Sequence, residues 1–205
     1  MERDASPGRV MGAARRASAA KAGSRRRAKS TAARNAATRG RLRLSIRPGR
    51  PGDVATILSL IRGLADYERL AHEVEATVDR IRRHGFGRRR YFETLMCRSA
   101  GKPVGFALYF FTYSTFLARP TLYLEDLFVL PDERGNGAGR ALLAALAKIA
   151  VARGCGRVEW AVLDWNRPAI RFYERLGARL RRDWILTRLT GAPLRRLAKS
   201  TLAGR

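Results

Sequence analysis

Acidic residues are scarce in this chain: 17 Asp and Glu stand against 42 Lys and Arg, a formal charge of +25 over 205 residues. Such a balance bears on partners and solubility and not on fold. Cysteine is nearly absent. Cys97 and Cys155 form no CxxC pair, which argues against a disulfide-stapled secreted scaffold and for a reducing, cytoplasmic setting. Both read as small apolar residues and not nucleophiles, because no Cys–His pairing surrounds them. His72 and His84 lack metal-ligand company, so no metal site is expected. No apolar run approaches the ~18 residues of a membrane span, so no membrane partner is expected. Aromatics are missing from the first 66 residues: the first is Tyr67.

What is present divides the chain. Up to residue 45 there are 13 Lys and Arg against Glu2 and Asp4, in a context of Ala, Ser, Gly and Thr. Such a segment cannot bury enough apolar surface to offset an ordering cost of roughly 1–2 kcal/mol per residue. Residues 1–40 therefore read as a disordered basic arm. Three readings of the arm stay open: no specific role, weak polyanion contact through phosphate backbones, or an organelle transit peptide. Residues 41–200 carry most of the apolar content, which is 46% overall, and read as one folded domain.

Within it, Leu42–Ile46 alternates as a strand. Asp53 is placed to cap a helix over Val54–Arg69, and Thr77 a short helix that Gly85 stops. Strands are expected at Tyr91–Arg98, Val104–Tyr113 and Thr121–Leu130, the first two joined by a hairpin turn over Ser99–Pro103. A helix over Gly139–Arg153, a strand over Val158–Leu163, a helix from Pro168 to Leu176 capped by Gly177, and a last strand over Trp184–Leu189 complete the pattern. The order predicts a mixed α/β sheet with helices on both faces, not a doubly wound dinucleotide fold.

The turn before the Gly139 helix is Asp132-Glu-Arg-Gly-Asn-Gly-Ala-Gly-Arg140, which holds R-x-x-G-x-G as Arg134, Gly137 and Gly139. Glycines let a ligand approach the backbone, and a helix start offers unpaired N–H groups and a positive dipole end. That chemistry suits a pyrophosphate. No Gly-Lys-Ser/Thr follows, so it is not a Walker loop. Downstream stands Asn166-Arg-Pro-Ala-Ile-Arg-Phe-Tyr-Glu-Arg-Leu-Gly177.

The two motifs, in this order around an Ala/Leu-rich helix and a strand, resemble the GNAT acetyltransferase superfamily. Leu64-Ala-Asp-Tyr-Glu68, His84-Gly-Phe-Gly87, Gly105-Phe-Ala-Leu-Tyr-Phe-Phe-Thr-Tyr113, Tyr123-Leu-Glu-Asp-Leu-Phe-Val129 and Asp164-Trp-Asn166 are similar to its diamine (spermidine/spermine, thialysine) branch, from about Leu42 to Ala198. The resemblance implies a mostly antiparallel central sheet, acetyl-CoA as co-substrate, a homodimer, and a small cationic amine as acceptor.

It also implies roles. Glu125 would remove the proton of the amine, through water, and Tyr173 would be the general acid toward the CoA sulfur. Asp126 would hold the cationic substrate, with Tyr67, Glu68, Asp164 and Trp165 around its channel. Backbone groups of Leu127, Phe128 and Val129 would pair with the pantetheine arm. Those of Arg134, Gly135, Asn136, Gly137, Ala138, Gly139 and Arg140 would hold the pyrophosphate, and Asn166 would touch the cofactor.

The residues fit such chemistry. An alkyl amine with a pKa near ~10.4 must lose a proton before it attacks, which costs roughly 4–5 kcal/mol at pH 7. Glu125 and Asp126 are adjacent on a strand, so strict alternation aims them at opposite faces. One departure narrows the acceptor: Ala178-Arg-Leu-Arg-Arg-Asp183 is shorter than in the polyamine enzymes and carries arginines where those carry acids. A short diamine or an amino-acid amine then suits better than spermine. The alternatives are a protein lysine as acceptor, or a nucleic-acid-associated protein with a vestigial CoA site.

Overall fold

The structure is a computed structural model, and residues 44–200 are the ones it describes. The basic arm expected over residues 1–40 lies outside them. Two compact units divide at Ala161/Val162, and each is described by itself.

The first unit is built on a five-stranded sheet in sequential order. Strands β1 (Leu44–Pro48), β2 (Glu93–Ser99), β3 (Lys102–Ser114) and β4 (Arg119–Val129) pair antiparallel, and β5 (Arg157–Trp160) joins β4 in parallel. The β2–β3 hairpin turns through Ala100 and Gly101, at φ of 46° and 79°. A two-residue turn with both φ positive matches the twist of the flanking strands.

Alternation along the strands supplies two cores. Leu95, Cys97, Ala107, Tyr109, Leu122 and Leu124 face one side. They meet α3 (Ala138–Ala152), whose buried residues Ala138, Leu142, Leu146 and Ala150 recur every fourth position along one stripe. Met96, Phe106, Leu108 and Phe128 face the other side. There they meet α1 (Val54–Glu68) through Val54, Ile57, Leu58 and Leu60, together with Ile81 of the short α2 (Val78–Ile81). Helices thus cover both faces of a mostly antiparallel sheet, as expected. Leu142 and Leu146 are wholly buried, and truncating either to Ala would cost about 2–5 kcal/mol.

Local chemistry departs from expectation at several points. The Asp53 side chain does not cap α1. It accepts two hydrogen bonds from the Arg47 guanidinium, at 2.6 and 2.7 Å, and a third from the backbone N–H of Arg50. A charged bidentate pair outcompetes a helix N–H. Thr77 does cap α2, accepting from the Arg80 N–H. Gly85 does not stop that helix. The chain passes through it in a π-helical turn, Arg82–Phe86, and a Cβ there would lie 2.5 Å from the Phe92 ring. Close approach, and not termination, is what demands glycine.

The second unit holds α4 (Arg167–Arg175) and α5 (Gly191–Lys199). Gly177, at φ 90°, ends α4 by donating to the Glu174 carbonyl. The last strand expected over Trp184–Leu189 is not formed among the described residues. Trp184, Ile185 and Leu186 are exposed there. Apolar residues alone do not make a strand; a neighbouring ladder must take its hydrogen bonds. Nor does β5 run on to Leu163. It ends at Trp160, opposite Leu124.

Candidate active site

The chemistry gathers where β4 breaks its own alternation. Leu124 pairs with Tyr109 and Asp126 with Leu108, so Glu125 is an extra residue without an opposite number. This is a β-bulge, a device that re-aims side chains and often ends pairing. It has two effects. The first overturns the expectation that Glu125 and Asp126 point strictly to opposite faces. Glu125 is inserted between Leu124 on the α3 side and Asp126 and Phe128 on the α1 side, and its carboxylate is exposed.

The second effect is an open edge. The β4–β5 ladder ends at Leu124↔Trp160, just before the bulge. Among the described residues, β4 from Asp126 to Val129 is paired with β3 alone. On its other side the Val129 carbonyl takes the Arg134 Nε–H, and the remaining edge peptide groups face an extended ligand.

Asp126 is partly buried. Its carboxyl is pushed up to about 7, by burial first and then by the negative charges of Glu125 and Glu68. Burial also pushes up the carboxyl of Glu68, at the end of α1. Asp126 therefore feels two other carboxylates, one from its own strand and one from α1. Neutralising that repulsion requires protons or a cation.

The glycine-rich turn follows directly. Gly135 and Gly137 sit at φ of 81° and 87°, where a side chain would be strained, and nothing lies within 4 Å of the Cβ that either lacks. Gly137 opens the 15-residue α3, and no side chain caps it. Ala138 is buried, Gly139 half-buried, and Asn136 and Arg140 exposed. An open glycine cradle on an uncapped helix N-terminus, continuous with an unpaired strand edge, fits an extended pantetheine ending in a pyrophosphate.

Arg134 behaves differently from the backbone around it. Its Nε donates to the Val129 carbonyl at 3.1 Å, and its guanidinium lies over the Tyr67 ring at 4.5 Å and the Phe128 ring at 5.7 Å. The turn and the α1 end thus share an aromatic–cation stack that no motif spacing in the sequence announces.

In the second unit, Asn166 is buried and is the N-cap of α4, its Oδ1 accepting from the Ala169 N–H at 3.3 Å. Pro168 fits the first turn because it has no N–H to leave unpaired. Tyr173 is buried, with the Phe172 ring 5.3 Å away. Asp164 and Trp165 are exposed. The first unit thus brings Tyr67, Glu68, Glu125, Asp126 and Arg134 into one neighbourhood, and the second groups Asp164, Trp165, Asn166 and Tyr173 within ten residues.

Residues 57–178 match the acetyltransferase (GNAT) family. The chain belongs to that family. GNAT acetyltransferases use acetyl-CoA as co-substrate, and this chain is an acetyltransferase. It is 38% identical over 164 residues to a thialysine N-epsilon-acetyltransferase of Sus scrofa, covering 75% of this chain and 96% of that one. An L-ornithine N5-acetyltransferase of Arabidopsis thaliana is 50% identical over 95 residues, 46% of this chain and 42% of the relative. Among solved structures, an integron cassette protein from the mobile metagenome of V. cholerae superposes with a TM-score of 0.65 at 26% identity, covering 77% of this chain and 98% of that one. Among the described residues no group of three or more His, Cys, Asp or Glu is placed to hold a metal, and no helix is long and apolar enough to cross a membrane.

Proposed function

We infer that this GNAT enzyme acetylates a primary amine of a small cationic molecule, of the thialysine, ornithine or short-diamine class. The observation that carries the reading is the carboxylate group of Glu68, Glu125 and Asp126 beside the glycine cradle. A net positive protein can still concentrate a cation where acids converge. Bound acetyl-CoA supplies the activated acyl carbon.

The roles follow the chemistry available. Asp126 holds the ammonium, and its elevated carboxyl pKa near 7 also lets it share the amine's proton at neutral pH. Glu125, exposed on the bulge, passes the proton to water. Peptide groups of Leu127, Phe128 and Val129 pair with the pantetheine arm. The turn from Arg134 through Gly135, Asn136, Gly137, Ala138 and Gly139 to Arg140 cradles the pyrophosphate. The Tyr173 hydroxyl supplies a proton to the departing sulfur. Tyr67, Glu68, Asp164, Trp165 and Asn166 border the two substrates.

Length selectivity has its own support. Asp183 is the one acid in the Ala178–Asp183 stretch, and Arg181 already pairs with it at 2.7 Å. That stretch offers no free acid to a third or fourth ammonium. The relatives named for thialysine and ornithine favour the same short acceptors. By the same resemblance we assign the enzyme to the cytoplasm as a homodimer.

The test is an acetyl-CoA turnover screen over thialysine, ornithine, lysine, putrescine, spermidine and spermine, with a lysine peptide as control. The expected result is turnover highest on the short amines. Turnover confined to the peptide, or none on any amine, overturns the reading.

A further inference from the structure

We propose that Arg134 is a positioning residue that couples the cofactor turn to the amine site, through its stack on Tyr67. The proposal rests on the reading above that the glycine turn takes CoA and the α1 end borders the amine.

Three observations converge on Arg134. First, its side chain, although exposed, folds back onto the protein. Nε–H is spent on the Val129 carbonyl, at 3.1 Å, which orients the guanidinium plane. Second, that plane rests on two rings from two elements, Tyr67 of α1 at 4.5 Å and Phe128 of β4 at 5.7 Å. Third, the two elements meet there without a spacer. Gly63 lies one helical turn before Tyr67, and a Cβ on it would come within 3.0 Å of the Phe128 ring. The last turn of α1 is therefore pressed on β4 from below and held by Arg134 from the side.

Tyr67 precedes Glu68, and Glu68 acts on Asp126 of the same strand two residues before Phe128. Whatever fixes Tyr67 also fixes the spacing of those two carboxylates.

The turn that carries Arg134 is hinged. Gly135 and Gly137, both at positive φ with open space around them, leave it free to change conformation at little steric cost. An anion gripped by the turn restricts it, and so holds Arg134 over Tyr67. Cation–π attraction strengthens as the site is desolvated. CoA binding should then order the end of α1, and the ordered end should bind the amine better. By linkage the amine tightens CoA in equal measure.

The test needs no acceptor. Hydrogen exchange is followed across residues 63–70, with and without saturating CoA, in the full chain and in Arg134→Leu, Tyr67→Leu and Tyr67→Phe. The readout is the slowing caused by CoA in each protein, so a variant with a looser α1 serves as its own baseline. Wild type should slow by about tenfold, within the usual range of coupling between sites. Tyr67→Phe keeps the ring and should retain that slowing. Arg134→Leu and Tyr67→Leu, each at a CoA concentration that calorimetry shows to saturate that variant, should lose most of it. Equal slowing in all four proteins overturns the proposal, as does CoA binding to wild type with no slowing at all. Failure of wild type to bind CoA is a separate result, which overturns the cofactor reading and the coupling with it.

Discussion

A single aspartate carries the most informative electrostatics of the molecule. The Asp126 carboxyl titrates near 7 in the folded chain and near ~3.9 when unfolded. The native state therefore holds an extra proton between those values. Stability tied to this group is complete below about pH 4 and is lost as pH rises through 7. Asp126→Asn has no such charge to bury. With no amine bound, the variant should gain on wild type by about 2–3 kcal/mol between pH 5 and pH 8. Denaturant unfolding at the two pH values measures the change, and a constant gap would show that Asp126 is not an isolated buried acid. The variant should also raise the KM for the amine about 10–150-fold, the worth of a lost charge-assisted contact. Tyr173→Phe asks a different question. The ring and its neighbour Phe172 stay, one hydroxyl goes, and turnover should fall about 10²–10⁴-fold at nearly unchanged acetyl-CoA affinity. Near-normal turnover would leave Tyr173 a packing residue.

Among the elements, the bulge in β4 decides most. Glu125 is inserted where Leu124 and Asp126 oppose adjacent residues of β3. Removing it should restore a regular ladder and leave Leu124, Asp126 and every later side chain on its present face. A chain lacking Glu125 should thus fold with a melting temperature close to that of wild type, yet lose about 10²–10⁴-fold in acetyl transfer, as proton transfer is lost. Collapse of the fold on deletion would show that the bulge is structural. The bulge also marks the limit of what the residues disclose before folding. Both helices that flank the sheet, the glycine turn, and the hairpin within Ser99–Pro103 were legible, because each follows from local period or turn composition. Glu125's insertion was not, since alternation in one strand is silent about how its neighbour is registered. The Trp184–Leu189 strand failed for the same reason, and Asp53 was drawn to Arg47 by a partner six residues away. The Arg134–Tyr67 stack joins positions 67 residues apart in the chain, beyond any pattern of spacing.

At the scale of the molecule the charge is divided unequally from the chemistry. Residues 1–40 contain 11 Lys and Arg and two acids, while the family match opens only at residue 57. Acetyl transfer and polyanion contact should therefore separate on truncation. A chain starting at residue 41 keeps β1 and every core residue among the described ones, so its unfolding free energy should stay within about 0.5 kcal/mol of the full chain. Its kcat/KM for the best amine of the screen should be unaltered at moderate salt. What should change is retention on heparin: losing 11 cations shortens the salt dependence of any phosphate or sulfate contact they make, and elution should move to lower salt. The two measurements oppose each other in what they would overturn. A truncated chain that unfolds early or loses transfer shows that the segment completes the enzyme. One that elutes from heparin unchanged shows that polyanion contact belongs to the arginines of the folded units, such as the run Arg88-Arg89-Arg90, which is exposed.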